Sequence, residues 1–222
     1  MSTIGRCFTD VRRAVPEGVQ LVAVSKFHPV EHLLDAYAAG CRVMGESRVQ
    51  ELCAKREQLP QDIEWHFIGH LQPNKVKYIA PFVSLIHAVD TPKLLAEISR
   101  RALACARCVP CLLQVHVARE ETKFGFTPDE LRQFLDEGAW RQMEGARIDG
   151  LMCMASNTDD MAQVEAEFTQ VRTLFDELRA RHFADASHFR LRSYGMSHDW
   201  PVAVRCGSNM VRIGTAIFGQ RA

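Results

Sequence analysis

The sequence predicts an α/β fold: a (β/α)8 TIM barrel in a single domain, with a leading N-terminal helix. Three observations predict it. Eight short apolar runs alternate with segments of helical periodicity, the order that builds a parallel sheet. The 222 residues suit a barrel, which uses about 250. The open doubly wound alternative lacks its dinucleotide fingerprint, because no G-x-G-x-x-G follows the first apolar run. No linker or low-complexity stretch divides the chain, so residues 1–222 are expected to act as one domain.

Each element has its own justification. Ile4, Phe8, Val11 and Val15 recur near the helical period, predicting a helix over residues 1–15. Leu21-Val22-Ala23-Val24-Ser25-Lys26 is a continuous run between Gly18 and Pro29 and reads as a strand buried on both faces. A helix over 31–39 begins after Pro29 and stops at Gly40. A strand at 42–45, a helix at 47–59, a strand at 63–68 and a short helix at 74–80 follow. After a strand at 83–88, Thr91-Pro92 predicts the start of a helix that runs to about 106, with threonine at the cap and proline first inside. The rhythm then repeats: strand 110–117, helix 128–137, strand 148–154. The helix at 160–182 carries Met161, Val164, Phe168, Val171, Leu174, Phe175 and Leu178 at helical spacing. A strand at 189–194, a brief helix at 200–204 and a last strand at 210–213 complete the count.

Composition narrows the function. Lys+Arg and Asp+Glu both total 27, so nothing points to nucleic acid or an anionic membrane as partner. The N-terminus lacks the apolar core of a signal peptide and no stretch has the length of a membrane span, so a cytoplasmic location is expected. The eight cysteines are scattered through a chain too large to need disulfides. Cys105, Cys108 and Cys111 have a spacing used by iron–sulfur ligands, but no fourth cysteine follows nearby, and they read as structural thiols. His28/His32 and His66/His70 are each four apart, as metal ligands can be. Without a third convergent ligand they read as ordinary histidines, and no metal is expected. Trp140 and Trp200 read as packing.

A barrel gathers its functional groups at the carboxyl ends of the strands. Those groups here are Lys26, Glu46, His66, His70, Met152, Ser193, Ser197, Arg212 and the Gly214-Thr215 turn. Lys26 has two readings: an ammonium that reaches water at the strand mouth, or an amine whose burial favours loss of its proton and so nucleophilic attack. The last strand enters a glycine turn, where backbone amides can approach an anion and Thr215 adds a hydroxyl; taken alone, the turn also reads as an ordinary helix cap. Ser197 follows the seventh strand, and barrels commonly bind phosphate in the loops after strands seven and eight. In a closed barrel the first strand neighbours the eighth. An amine facing a phosphate clamp suits pyridoxal 5'-phosphate (PLP), whose aldehyde condenses with lysine in a Schiff base. Arg212 would then point at the ring, its permanent charge discouraging protonation of the pyridine nitrogen. The competing reading of Arg212 is a salt bridge inside the barrel.

The strings LVAVSK, GESRVQE at 45–51, WHFIGHLQPNK at 65–75, GLMCMA at 150–155, YGMS at 194–197 and GSNMVRIGTAIFG at 207–219 resemble the pyridoxal phosphate homeostasis protein family. Its members are also described as alanine-racemase-like, N-terminal-domain proteins. The resemblance covers nearly the whole chain. It implies a PLP-binding barrel of fold type III with Lys26 as an internal aldimine, Ser197, Gly214 and Thr215 on the phosphate, and Arg212 near the pyridine nitrogen. By the same resemblance, the segment containing Lys123 lies at the pocket rim. The chain departs from the family at Ser47, where many members have asparagine, at Asn209, where threonine is common, and at His198, where an acidic residue is common.

Two functions compete. One is a binding protein that holds PLP, maintains its intracellular level and delivers it to PLP-accepting apoenzymes, with no catalytic residue. The other is a PLP-dependent, racemase-like enzyme, which needs an acid or base on each face of the ring. Only Tyr37, Tyr78 and Tyr194 could supply a second-face tyrosine, and nothing places any of them opposite Lys26; His66 is a further candidate donor. An aldolase barrel using a lysine imine is a third possibility, but it has no use for an arginine at a pyridine. The binding reading is preferred, in a protein expected to act as a monomer.

Overall fold

The computed structural model describes residues 2–118 and 124–220. The first element is helix α1 (Thr3–Ala14), begun by Ser2, whose hydroxyl accepts from the Gly5 amide at 3.0 Å. The barrel follows as β1 (Gln20–Val24), α2 (Val30–Ala38), β2 (Val43–Glu46), α3 (Val49–Gln58) and β3 (Glu64–Phe67). A single 3-10 turn at Pro73–Lys75 leads into α4 (Val76–Ile79), β4 (Leu85–Val89), α5 (Pro92–Leu103) and β5 (Val109–Val115). The remainder is α6 (Pro128–Glu137), a 3-10 turn at Ala139–Gln142, β6 (Ala146–Cys153), α7 (Met161–His182), β7 (Leu191–Ser193), α8 (Trp200–Arg205), β8 (Met210–Ile213) and α9 (Thr215–Phe218).

The eight strands close in chain order into a parallel barrel. Closure is made by β1 against β8, with Leu21 opposite Val211, Val22 opposite Arg212 and Ala23 opposite Ile213. Successive residues of a strand face opposite sides, and burial divides accordingly. Val22, Leu85, Ala88, Leu112, Met152 and Met210 form an inner cluster. Leu21, Ala23, Val211 and Ile213 join the larger shell under the helices. The register slips between Ile86 and Val89 and again between Cys111 and Leu112.

Local chemistry starts the helices where the sequence expects. Thr91 accepts from the Leu94 amide at 3.2 Å with Pro92 first inside α5. Thr127 and Glu130 form a reciprocal capping box on α6. Two expectations are corrected. The first strand ends at Val24, so Ser25 and Lys26 lie beyond it, in a turn closed by the His28 amide on the Ser25 carbonyl at 3.1 Å. The glycine turn after the last strand continues into α9, so Gly214 stands at the cap of a short helix, the competing reading of that turn. Cys105 and Cys108 are exposed while Cys111 is buried, so only the last of the three is a packing thiol.

Candidate functional site

At the carboxyl ends of the strands lies a cavity of ≈ 300 Å³. Every residue the sequence assigns to cofactor binding lines it: Lys26, Ser197, Arg212, Gly214 and Thr215. Their convergence follows from closure, since β1 delivers Lys26 beside the turn that leaves β8. Lys26 is half-buried rather than sealed from water. Gly214 sits so close to the first strand that an added Cβ would stand 3.0 Å from the Val24 carbonyl oxygen and 3.2 Å from the Val24 Cβ. Its amide donates to the Ser197 hydroxyl at 3.4 Å. Hydroxyls of Ser197 and Thr215 and the backbone of a glycine turn are thus gathered on one wall, with the Lys26 side chain on the same cavity.

Arg212 is buried, and among the described residues neutral oxygens rather than a carboxylate hold it. Its Nη1 donates to the Ser193 carbonyl at 2.5 Å and to the Ser193 hydroxyl at 2.6 Å, and its Nη2 to the Cys153 carbonyl at 2.9 Å. Burial pulls the pKa of this guanidinium down. The chain of contacts continues inward. Ser193 Oγ is 3.0 Å from His87 Nδ1, and His87 Nε2 is 3.0 Å from His66 Nδ1. Desolvation lowers the His66 pKa to about 3. Burial also pushes His87 well below the usual histidine range, helped by His66 and Arg212. Both rings are neutral at physiological pH.

The other strand-end candidates fall elsewhere. Met152 belongs to the inner barrel cluster. His66 and Ser193 belong to the relay behind Arg212. Glu46 is fully buried and turned toward α3: its Oε1 accepts from Ser25 Oγ at 2.6 Å and from Lys55 Nζ at 2.6 Å. Burial raises the Glu46 pKa, and Lys55 and Ser25 oppose the rise. His70 pairs with Asp90 at 2.8 Å and stacks on Phe124 with ring centroids 3.9 Å apart. Lys123, expected at the rim, lies outside the described residues. Among the described residues no group of three or more His, Cys, Asp or Glu side chains is placed to hold a metal ion. Trp140 packs against Phe183, and Trp200 against the core.

Sequence reasoning missed several participants. His28, Met154, Asn157, His198 and Gly219 also line the cavity. His28 is buried and stacks on Phe218 with centroids 5.2 Å apart. His87 carried a usable signal, a lone imidazole inside the apolar run Leu85-Ile86-His87-Ala88-Val89. Lys55 carried a weaker one: it falls three residues after Leu52, itself three after Val49, on the inward stripe of α3.

Comparison with known proteins bears on the family and the fold. Residues 4–222 match the family model "Alanine racemase, N-terminal domain". The chain is 39% identical over 203 residues to the pyridoxal phosphate homeostasis protein of Aquifex aeolicus, spanning 91% of this chain and 87% of that one. It is 35% identical over 229 residues to the protein of the same name from Schizosaccharomyces pombe, across 100% and 94%. Among solved structures, PipY of Synechococcus elongatus with PLP bound superposes with a TM-score of 0.89 at 37% identity, covering 98% of this chain and 100% of that one. Alanine racemase of Clostridium difficile shares the fold alone, with a TM-score of 0.75 at 12% identity over 98% of this chain and 56% of that one.

Proposed function

The chain belongs to the alanine racemase N-terminal-domain family, and from that premise we propose that it is a pyridoxal 5'-phosphate-binding protein serving PLP homeostasis. The observation that carries this reading is the sharing of one ≈ 300 Å³ cavity by the Lys26 amine and the Ser197, Gly214 and Thr215 wall. The residues fit the cofactor on their own chemistry. The wall offers hydroxyl and backbone amide groups at a turn where a Cβ would crowd Val24, which suits a phosphate. Bound PLP supplies an aldehyde that condenses with an amine and releases one water.

In this reading Lys26 holds the cofactor covalently, and Ser197, Gly214 and Thr215 orient it through its phosphate. Arg212 presents a permanent positive charge to the ring, fixed by Ser193 and Cys153. The binding role is preferred over a racemase-like enzyme because none of the three tyrosines lines the cavity. Tyr37 is bonded to Asp62, Tyr78 stands exposed on α4, and the Tyr194 hydroxyl is buried with no hydrogen-bond partner among the described residues. We extend the proposal to one functional unit formed by the barrel, working as a monomer and giving its PLP to apoenzymes in the cytoplasm. No helix among the described residues is long and apolar enough to cross a membrane.

The test is a spectrum of the purified protein before and after addition of PLP, followed by borohydride reduction and mass spectrometry. A new visible band and a reduced adduct on the Lys26 peptide support the proposal. An unchanged spectrum with no adduct overturns it.

A further inference from the structure

The backbone on both sides of Lys26 is gripped by charged side chains of α3. We propose that Lys55 and Glu51 are positioning residues for the Lys26 amine, holding a turn that its own sequence disfavours. This rests on the reading of Lys26 as the PLP-binding lysine.

The grip is specific. Lys55 Nζ donates to the Ser25 carbonyl at 2.7 Å, and Glu51 Oε1 accepts from the Phe27 amide at 2.6 Å. The two side chains join each other at 2.7 Å. A third acceptor, Glu46 Oε1 at 2.6 Å, completes the ammonium's set of three. Residues 25–28 form a turn in which Phe27 is the third residue, with φ of +68°. Turns with positive φ at that position favour glycine or asparagine, because a Cβ is crowded there. A phenylalanine in such a place persists when its surroundings over-determine it. Here the surroundings are the Glu51 carboxylate on its amide, the Lys55 ammonium on the carbonyl two residues back, and the Arg48 guanidinium 4.5 Å from its ring centroid.

The cluster also isolates charge. Glu46 Oε2 is buried with no hydrogen-bond partner among the described residues, so this carboxylate would attract any nearby ammonium. Lys55 holds the other oxygen, Oε1, and is itself saturated by three acceptors.

The experiment compares Glu51→Ala, Glu51→Gln and the double variant Glu51→Ala/Phe27→Gly with the natural protein. Readouts are PLP affinity from the visible band, its absorbance maximum, and the fraction of reduced adduct on Lys26, with thermal melting as a control for folding. Glu51→Ala should lose tenfold or more in affinity. Glu51→Gln keeps an amide oxygen that can accept from Phe27 and should lose clearly less. A glycine in place of Phe27 adopts the turn without help, so the double variant should recover much of the loss. Should Glu51→Ala bind as the natural protein does, the proposal is overturned. It is equally overturned if neither Glu51→Gln nor the added Phe27→Gly change recovers anything, because the loss would then not run through the turn. Absence of a Lys26 adduct in the natural protein overturns the functional reading itself, and this proposal with it.

Discussion

His87 Nε2 stands 3.0 Å from His66 Nδ1 at the centre of the barrel, so one ring must donate and the other accept. Both are neutral because charge there would be desolvated, and a charge on His87 would in addition face His66 and the Arg212 guanidinium. The folded-state pKa of His66, about 3, lies below its unfolded value, and His87 shifts the same way. Between those limits the unfolded chain binds more protons, so stability falls as the pH drops from about 6.5 toward 3. The slope is about 1.4 kcal/mol per pH unit for each fully depressed group. Urea unfolding between about pH 7 and 5.5, where most carboxylates stay ionised, checks this. The double variant His66→Gln/His87→Gln should flatten the slope, and a flat profile in the natural protein would contradict a neutral pair.

Removing the amine tests the proposed covalent site directly. Lys26→Ala should leave the fold intact, since its side chain is half-buried at a cavity wall, and abolish the reduced adduct. Peptide mass spectrometry after borohydride treatment is the check; an adduct of equal yield on another lysine would reassign the site.

Beside its proposed role toward the ring, Arg212 braces the barrel through its hydrogen bonds to Ser193 and Cys153. Arg212→Leu strips donors from the carbonyls of Ser193 and Cys153, at a cost of about 1–3 kcal/mol for each buried acceptor left unpaired. Arg212→Lys retains the charge but reaches fewer of these oxygens, so it should be the milder change in urea midpoint while still shifting the absorbance of bound PLP. Equal midpoints for both variants would mean that these bonds do not support the barrel.

Two glycines should separate binding from folding. Gly214→Ala puts a methyl 3.0 Å from the Val24 carbonyl oxygen, so the turn must yield and PLP affinity should fall with a modest loss of stability. Gly150→Ala drives one into the Leu191 carbonyl oxygen across the β6–β7 pair, where neither backbone can move freely. Poor expression, or a stability loss of about 3 kcal/mol or more, fits the large effects of core overpacking. Thermal melting beside PLP titration distinguishes the two outcomes.

The barrel was readable in the sequence because parallel strands are buried on both faces and so appear as unbroken apolar runs, from Leu21-Val22-Ala23 to Met210-Val211. That Lys26, Ser197, Arg212, Gly214 and Thr215 share one cavity was readable for the same reason: polar groups that follow such runs meet at the carboxyl ends of the strands. What was hidden depends on contacts distant in the chain. Nothing in LVAVSK announces that the strand stops at Val24, because Ser25 is held by Glu46 and Lys55, which are 21 and 30 residues away. His87 reaches Ser193 over 106 residues. The lining contributed by His28 and Asn157 follows from loop paths, which apolar periodicity does not encode.

The pairing of β1 with β8 has a consequence for how the protein is made. The lysine emerges early in synthesis, whereas Gly214 and Thr215, which share its cavity, are added only after all the other strands have been assembled. On the proposed assignment, a nascent polypeptide on the ribosome has the Lys26 amine before it has the wall that would hold a phosphorylated aldehyde, so loading would wait for the final turn to fold home.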